Sequence, residues 1–233
     1  MKINQSKPLA LITGVGPGTG ASIARRFAAA GYRTALLARD AARLDALAAE
    51  LPDSIALPCD VTDAQALAVA VEQAGPAEVV VHNAVGGAWG TFREIDPAVL
   101  ERNFQTNVMA LLHLARLTVQ PMLDAGRGAL IVTGNTSALR GKARFAGFAP
   151  TKAAQRILAE SLARDLGPQG IHVAYLVIDA VIDVPWARQT YPEKPDNFFI
   201  RPAAIADEVF HLVQQDRSAW SFYAEVRPFH EVW

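Results

Sequence analysis

The stretch PLALITGVGPGTGASIARRF, residues 8–27, carries the pattern that decides the fold. It opens with an apolar run, passes through Gly14, Gly16, Gly18 and Gly20, and ends in an amphipathic segment. A buried strand, a glycine-rich turn and a helix form the first unit of a dinucleotide-binding α/β fold. Glycine lets the backbone approach a pyrophosphate closely, and the helix N-terminus attracts its negative charge. No Gly-Lys-Ser/Thr follows the glycines, which excludes a P-loop.

The rest of the chain repeats this alternation of strand and helix. Short apolar runs predict further strands at 33–38, 54–58, 77–82, 129–134, 171–178 and 219–226. Longer amphipathic runs predict helices at 20–31, 40–51, 63–74, 96–124, 147–166 and 202–215. Apolar strands separated by helices are typical of a parallel sheet covered on both faces. We therefore expect one domain over 1–233, an α/β, Rossmann-like, doubly wound fold whose seven-stranded parallel sheet is flanked by helices on both faces. A short lid near 185–202 would cover the carboxyl ends of the strands.

Composition narrows the possible partners. The 233 residues carry a net charge of −1, with 51% hydrophobic and 19% charged residues and no basic stripe, which argues against nucleic acid or an anionic membrane as partner. No apolar run approaches the ~20 residues of a membrane span. The lone Cys59 and the short apolar run at the N-terminus favour a cytoplasmic protein. None of the five histidines stands at metal-ligand spacing, so no metal site is expected.

The end of the second predicted strand bears on the choice of dinucleotide. A site for NAD usually carries an acid there, which binds the ribose hydroxyls. This chain has Ala38 followed by Arg39, whose guanidinium suits the 2′-phosphate of NADP. Asp40 is interpreted as the cap of the next helix. NADP(H) is therefore favoured over NAD(H).

Several motifs resemble those of the short-chain dehydrogenase/reductase family, in order over about residues 8–185. TGVGPGTG at 13–20 resembles its TGxxxGxG signature. Cys59-Asp60-Val61 and His82-Asn83-Ala84-Val85 are similar to the segments after its strands three and four, although the second matches only in Asn83 and Ala84. Asn107 and Lys152 match its helix-four asparagine and the lysine of Tyr-x-x-x-Lys.

The resemblance implies an oxidoreductase that transfers a hydride between NADP(H) and a small carbonyl or alcohol substrate. It assigns Asn107 and Lys152 to a proton relay, in which the lysine also binds the nicotinamide ribose. It further implies a set of cofactor-binding residues, namely Gly14, Gly18, Thr19, Gly20, Arg39, Asp60, Val61, Asn83, Ala84, Lys152 and Ile182.

The departures from the family pattern fall at the positions whose side chains carry out the reaction. Phe148 stands in place of the acid–base tyrosine, and Asn135 in place of the serine that binds the substrate oxygen. Asp179-Ala180 replaces the family's Pro-Gly after strand six. The phenyl ring of Phe148 has no proton to donate, whereas general acid catalysis is typically worth about 10²–10⁴-fold in rate. The catalytic site is therefore expected to be modified.

Other side chains are candidates for the missing proton donor. Some enoyl reductases of the family place the tyrosine six residues before the lysine, but that position is Ala146. Thr136 or Ser137 would offer a hydroxyl after a small shift of the loop, and the amide of Asn135 can donate to an oxyanion. Tyr191, in the segment expected to cover the substrate, is a further candidate.

Two functional hypotheses remain open from sequence. The first is an active NADP-dependent oxidoreductase, and the second is an inactive NADP-binding sensor or partner subunit. Family members usually associate through the helices after strands four and five, which implies a homodimer or homotetramer. An apolar helix face is compatible with such contacts, or with packing on the sheet alone: Val108, Leu111, Leu112, Ala115 and Leu117.

Overall fold

A computed structural model describes residues 7–230; residues 1–6 and 231–233, the two ends of the expected domain, lie outside the described part. Its strands are β1 (Leu9–Thr13), β2 (Arg33–Ala38), β3 (Ser54–Pro58), β4 (Val79–His82), β5 (Gly128–Asn135), β6 (Ile171–Ile178), β7 (Val181–Ile182), β8 (Phe199–Ile200) and β9 (Tyr223–Val226). Its α-helices are α1 (Thr19–Ala29), α2 (Ala41–Glu50), α3 (Ala64–Ala74), α4 (Pro97–Phe104), α5 (Ala110–Ala125), α6 (Ala149–Leu166), α7 (Pro185–Thr190) and α8 (Pro202–Val213).

Seven of the strands form one parallel sheet in the order β3-β2-β1-β4-β5-β6-β9. The doubly wound fold predicted from the sequence is confirmed. Thr13, the last residue of β1, pairs with Leu37 on one side and with His82 on the other. The chain reverses its direction of winding between β1 and β4, and the crevice at such a point is where ligands bind in this architecture.

Helices cover both faces of the sheet and bury two separate cores. Alternate residues of each strand point to opposite faces, because the side-chain period of a strand is two. Leu9 and Leu11 therefore join the core beneath α3, α5 and α6, whereas Ala10 and Ile12 join the core beneath α1, α2 and α8. A sheet buried on both faces holds its strand ends rigidly, which fixes the loops at its carboxyl edge.

The long helix predicted over 96–124 differs from the structure in its middle. Pro97 begins it, as expected, but α4 ends at Phe104 and α5 begins at Ala110. Between them, Gln105–Met109 forms one π-helical turn. Such turns are rare and often occur at functional sites. Here the turn surrounds Asn107.

Other boundaries also differ locally. Asp40 caps α2 by accepting from the backbone N–H of Arg43 at 3.1 Å, in agreement with its interpretation as a cap. The last strand begins at Tyr223 rather than residue 219, because Arg217–Ala219 forms a 3₁₀ turn. The apolar face of α5 packs mostly on the sheet: Leu111 and Ala115 are buried, whereas Leu112 is half-buried and Leu117 is exposed.

The segment expected to act as a lid is more ordered than a loop. It contains α7, and β7 pairs in parallel with β8. Arg188 binds both carboxylate oxygens of Asp183, at 2.7 and 2.9 Å, and also Asp196 at 2.6 Å. The Arg188 guanidinium lies 4.1 Å from the ring centre of Phe199. This ion-pair network fixes the course of the lid.

Within residues 7–230, no helix is both long and apolar enough to span a bilayer. The same residues contain no cluster of three or more His, Cys, Asp or Glu side chains arranged to hold a metal ion. Cys59 is buried as a free thiol.

Candidate active site

The glycine loop after β1 packs directly on the loop after β4. Gly14 has φ +70°, and a Cβ added there would lie 2.4 Å from the backbone nitrogen of Ala84. Asn83 donates from Nδ2 to the Gly14 carbonyl at 2.8 Å and accepts from the Thr133 hydroxyl at 3.0 Å. A Cβ on Gly20 would lie 2.5 Å from the same Gly14 carbonyl. Contacts within the protein backbone alone therefore require glycine at both positions, whether or not a ligand is bound.

The start of α1 fits the pyrophosphate of a dinucleotide. The helix follows Gly18 with no side-chain cap and no acid in its first turn. The Thr19 hydroxyl is buried and has no hydrogen-bond partner within residues 7–230. Free N–H groups, the helix dipole and an unpaired hydroxyl together suit an anion. Val184, which immediately precedes α7, lies over this turn, since a Cβ on Gly18 would be 2.6 Å from its Cγ1.

The ends of β2 and β3 place Arg39 and Asp60 near each other. Both side chains are exposed, whereas Val61 is buried. Asp60 accepts from the Thr62 backbone N–H at 3.0 Å and from the Thr62 hydroxyl at 2.8 Å. These hydrogen bonds, and the charge of Arg39, hold the pKa of Asp60 below its usual range. Asp40 is occupied as a helix cap, and Arg39 supplies a positive charge at this end of β2.

Asn107 lies in the π turn and is fully buried. Its side chain binds both backbone groups of Gly86, accepting from the N–H at 3.0 Å and donating to the carbonyl at 2.8 Å. It also donates to the Thr151 hydroxyl at 2.8 Å. Asn107 thereby joins the loop after β4 to the first turn of α6.

Lys152 is 2% exposed and points into the protein. Its ammonium donates to the Thr133 carbonyl at 3.1 Å and, in a very short contact, to Oε1 of Gln155. Gln155 in turn donates from Nε2 to the Asn107 carbonyl at 2.8 Å. Burial lowers the pKa of Lys152 to about 7. Lys152 and Asn107 are therefore brought together, with the side chain of Gln155 between them.

Phe148 immediately precedes α6 and is 4% exposed. Its ring lies 5.0 Å from that of Trp89, in an edge-to-face contact. Trp89 makes a similar contact with Phe145 at 4.6 Å. The place expected for an ionisable phenol is thus filled and covered by apolar rings.

The alternative donors lie in varied settings. Asn135 ends β5 and accepts from the Ser137 N–H at 3.1 Å, which leaves its amide N–H groups available. Thr136 donates its hydroxyl proton to Asp179 at 3.0 Å. Ser137 is buried, and Tyr191 follows the last residue of α7, with its ring centre 5.7 Å from that of Phe198. Ile182, expected near the nicotinamide, is half-buried in β7.

The family model of the short chain dehydrogenases matches residues 8–193. The chain belongs to the short-chain dehydrogenase family. A relative, the D-erythrulose reductase of Gallus gallus, is 34% identical over 165 residues, which cover 70% of this chain and 67% of that protein. This relative and others that match are reductases and dehydrogenases by name, so the chain is an oxidoreductase of the class that acts on CH–OH and C=O groups.

Solved structures support the same assignment. A short-chain dehydrogenase from Rhodopseudomonas palustris is 30% identical, with a TM-score of 0.83 over 95% of this chain and 99% of that one. A metagenomic short-chain oxidoreductase in complex with NADP is 27% identical, with a TM-score of 0.82 over 95% and 97% of the two chains. The fold of this short-chain dehydrogenase is thus one that binds dinucleotides.

Sequence reasoning missed two residues of this short-chain dehydrogenase. Gln155 stands three residues after Lys152, a spacing that places both on one face of a helix. That spacing is the signal that could have indicated their contact. Trp89 lies in the loop after β4, and nothing local indicates that it covers Phe148.

Proposed function

We propose that this short-chain dehydrogenase is an NADP(H)-dependent oxidoreductase with a modified catalytic site. It transfers a hydride between NADP(H) and a small carbonyl or alcohol substrate. The observation that carries this proposal is a buried lysine ammonium, held at the carboxyl edge of β5 by the Thr133 carbonyl and Gln155. Burying a charge costs free energy, and Lys152 lies on the same edge as a glycine loop whose shape suits a pyrophosphate.

Each candidate residue has a defined task in this proposal. The glycine turn and the Thr19 hydroxyl bind the pyrophosphate, and Arg39 binds the 2′-phosphate, which favours NADP over NAD. An ammonium has three N–H donors, and protein atoms accept two of those on Lys152. The third donor is available for a ribose hydroxyl. The cofactor, when bound, supplies the hydride.

The negative charge that develops on the substrate oxygen must be stabilised without an acid at position 148. The free amide N–H groups of Asn135 stabilise negative charge on that oxygen by hydrogen bonding, as donors of an oxyanion site do. A side-chain amide does not ionise near neutral pH and so cannot give up a proton. The proton that the substrate oxygen finally takes therefore comes from water. The expected cost is slow turnover of substrates that form a strongly basic alkoxide.

A second function remains a candidate because Phe148 is buried beneath Trp89. A protein that binds NADP(H) and performs no reduction would be a sensor or a partner subunit. Its lysine and glycine loop would serve binding alone.

One pair of glycine variants tests the proposal. A Cβ on Gly16 or on Gly141 meets no atom within 4 Å, and neither residue has a positive φ, so Gly16→Ala and Gly141→Ala should both fold. If the loop binds the pyrophosphate, only Gly16→Ala weakens NADPH binding, measured by nicotinamide fluorescence. Equal affinity in both variants would contradict the assignment of the loop.

Turnover separates the two functions. The protein is mixed with NADPH and a panel of aldehydes, ketones, quinones and enones, and the absorbance of the reduced cofactor is followed. Tight NADPH binding with no oxidation in any mixture favours the sensor. No NADPH binding at all would reject both functions.

The remaining features also stay part of the proposal. We expect a single domain whose lid spans about 185–202, a homodimer or homotetramer, and a cytoplasmic location.

A further inference from the structure

A third buried side chain, that of Gln155, lies between Lys152 and Asn107. Gln155 accepts from the Lys152 ammonium through Oε1, in a very short contact, and donates from Nε2 to the Asn107 backbone carbonyl at 2.8 Å. Gln155 and Asn107 are fully buried, and Lys152 is 2% exposed. The amide of Gln155 therefore occupies the space between the ammonium and that carbonyl.

The π turn provides the carbonyl that Gln155 binds. The Ala110 N–H bonds to the Gln105 carbonyl, which lies five residues back instead of four. Such a shift leaves one carbonyl of the turn without a partner inside the helix. The Asn107 carbonyl accepts from the Gln155 side chain. A buried carbonyl without any partner would cost free energy, so the amide at position 155 stabilises the turn as well as contacting the lysine.

Tyr175 lies on the other side of the Gln155 amide. Its hydroxyl is 3.4 Å from Oε1 of Gln155 and 3.5 Å from the Lys152 carbonyl. The ring packs against β5 at Gly134, where an added Cβ would lie 2.1 Å from Cε1 of Tyr175. Tyr175 is fully buried, and burial raises the pKa of its phenol. The hydroxyl therefore stays protonated near neutral pH and takes no proton from Lys152.

The two groups that accept from the Lys152 ammonium do not pass a proton on. One is the Thr133 carbonyl at 3.1 Å, and the other is the Gln155 amide. A side-chain amide keeps its N–H protons near neutral pH, whereas water or a hydroxyl can take one proton and release another. The charge of Lys152 also acts on His82, but burial and that charge lower the pKa of His82 to about 3, so His82 stays neutral.

We propose that Gln155 is a positioning residue that keeps water out of the space between Lys152 and Asn107. The ammonium then exchanges its proton with solvent through its third N–H, on the side proposed for the ribose. A bound dinucleotide would cover that side and hold the protonation state of Lys152 during turnover. This last consequence rests on the proposed function, whereas the exclusion of water does not.

Two substitutions of Gln155 distinguish the exclusion of water from a simple hydrogen bond. Gln155→Ala removes the amide and leaves a space beside the Asn107 carbonyl, the Lys152 ammonium and the Tyr175 hydroxyl. A buried water needs two to four polar partners and a volume of about 30 Å³, so water should enter this space. Gln155→Leu also removes the amide but fills the space with apolar atoms, so water should stay out.

Crystal structures of the unmodified protein and of both variants give the first measurement. A water should lie within hydrogen-bond distance of Lys152 and of the Asn107 carbonyl in Gln155→Ala alone. The pKa of Lys152, followed by NMR of ¹³C-labelled lysine, gives the second. It should stay near the wild-type value in Gln155→Ala, where water replaces the lost acceptor, and fall by about one to two units in Gln155→Leu. Gln155→Ser should behave as Gln155→Ala does, and takes its place if the alanine variant does not fold.

Turnover gives a third measurement in a protein that has a phenol at position 148. Phe148→Tyr is combined with each of the two changes at position 155, and reduction of an aliphatic ketone by NADPH is followed. A water beside Lys152 can return a proton to the site, so adding Gln155→Ala should raise kcat about tenfold and leave the KM for NADPH nearly unchanged. Adding Gln155→Leu should give no such increase.

The outcomes separate this inference from the proposed function. A water between Lys152 and Asn107 in the unmodified protein, a dry space in Gln155→Ala, or an equal fall of the Lys152 pKa in both variants would overturn the exclusion of water by Gln155. Equal kcat in the two double variants would overturn the proton route. The crystal structures and the NMR titration use no dinucleotide, so failure of the unmodified protein to bind NADP(H) would instead reject the proposed function.

Discussion

Replacing Gln155 by leucine should lower the pKa of Lys152 further. In the structure, the Lys152 ammonium has two protein acceptors, and Gln155 supplies one of them. A hydrogen bond to a charged group contributes about 1.5–3 kcal/mol, and 1.36 kcal/mol corresponds to one pKa unit. Losing it should therefore move the pKa of Lys152 from about 7 to about 5.5.

The opposite change comes from Gln155→Glu, which places a carboxylate beside the ammonium. An opposite charge in contact raises the pKa of a lysine by about one to three units, so Lys152 should titrate near pH ~9 in this variant. Gln169→Leu is the matched control, because Gln169 is exposed and its amide donates only to the Asp165 carbonyl at 3.0 Å.

The measurement follows the Cε signals of ¹³C-labelled lysine by NMR as pH is varied. The chain contains five lysines, and Lys152→Met identifies the signal of Lys152. Circular dichroism establishes that each variant is folded. If the Lys152 midpoint stays at the wild-type pH in both folded Gln155 variants, or moves in the same direction in both, the role given to Gln155 is refuted.

Three further predictions follow from the same site. Phe148→Tyr should gain reductase activity toward aliphatic ketones, because a phenol can donate the missing proton. Phe145→Tyr is the control. Equal rates in the two variants, with NADPH bound to both, would contradict the role given to position 148. Arg39→Ala should weaken NADPH binding about ten- to hundredfold and change NADH binding little, and an equal loss for both would show that Arg39 does not contact the 2′-phosphate. The pKa of Lys152 is lower in the folded state, about 7, than its unfolded value near ~10.4, so the unfolded chain binds more protons between these values. Stability should therefore rise by roughly 1–2 kcal/mol from pH 7 to 8.5, and urea unfolding of Lys152→Met should show a flatter profile if this burial is the cause.

Local patterns were enough to predict the fold. Each strand is marked by its own apolar run, and the glycines after β1 meet steric limits that involve only neighbouring backbone. The spacing between Phe148 and Lys152 likewise lies within a single helical turn. Such features depend on residues close in sequence, so a pattern can predict them.

The remaining features depend on contacts between distant segments. The contact of Gln155 with the Asn107 carbonyl joins residues 48 positions apart, through a π turn that no composition marks. Trp89 packs over Phe148 because the loop after β4 is hydrogen-bonded to the loop before α6. Likewise, the sequence could not distinguish which apolar residues of α5 face the sheet. Leu111 is buried and Leu117 is exposed, although both fit an apolar helix.

The π turn also constrains how the gene can change length here. A π turn holds one residue more than the α turn it replaces, because its N–H groups bond to carbonyls five residues back instead of four. Deleting one residue from Gln105–Met109 should therefore close this turn to α geometry and keep Leu111 and Leu114 on the buried face of α5. Deleting one residue within α5 would instead rotate every residue beyond the deletion by about 100°. In a library of single-codon deletions, tolerated positions should therefore occur at the π turn and be absent from the middle of α5.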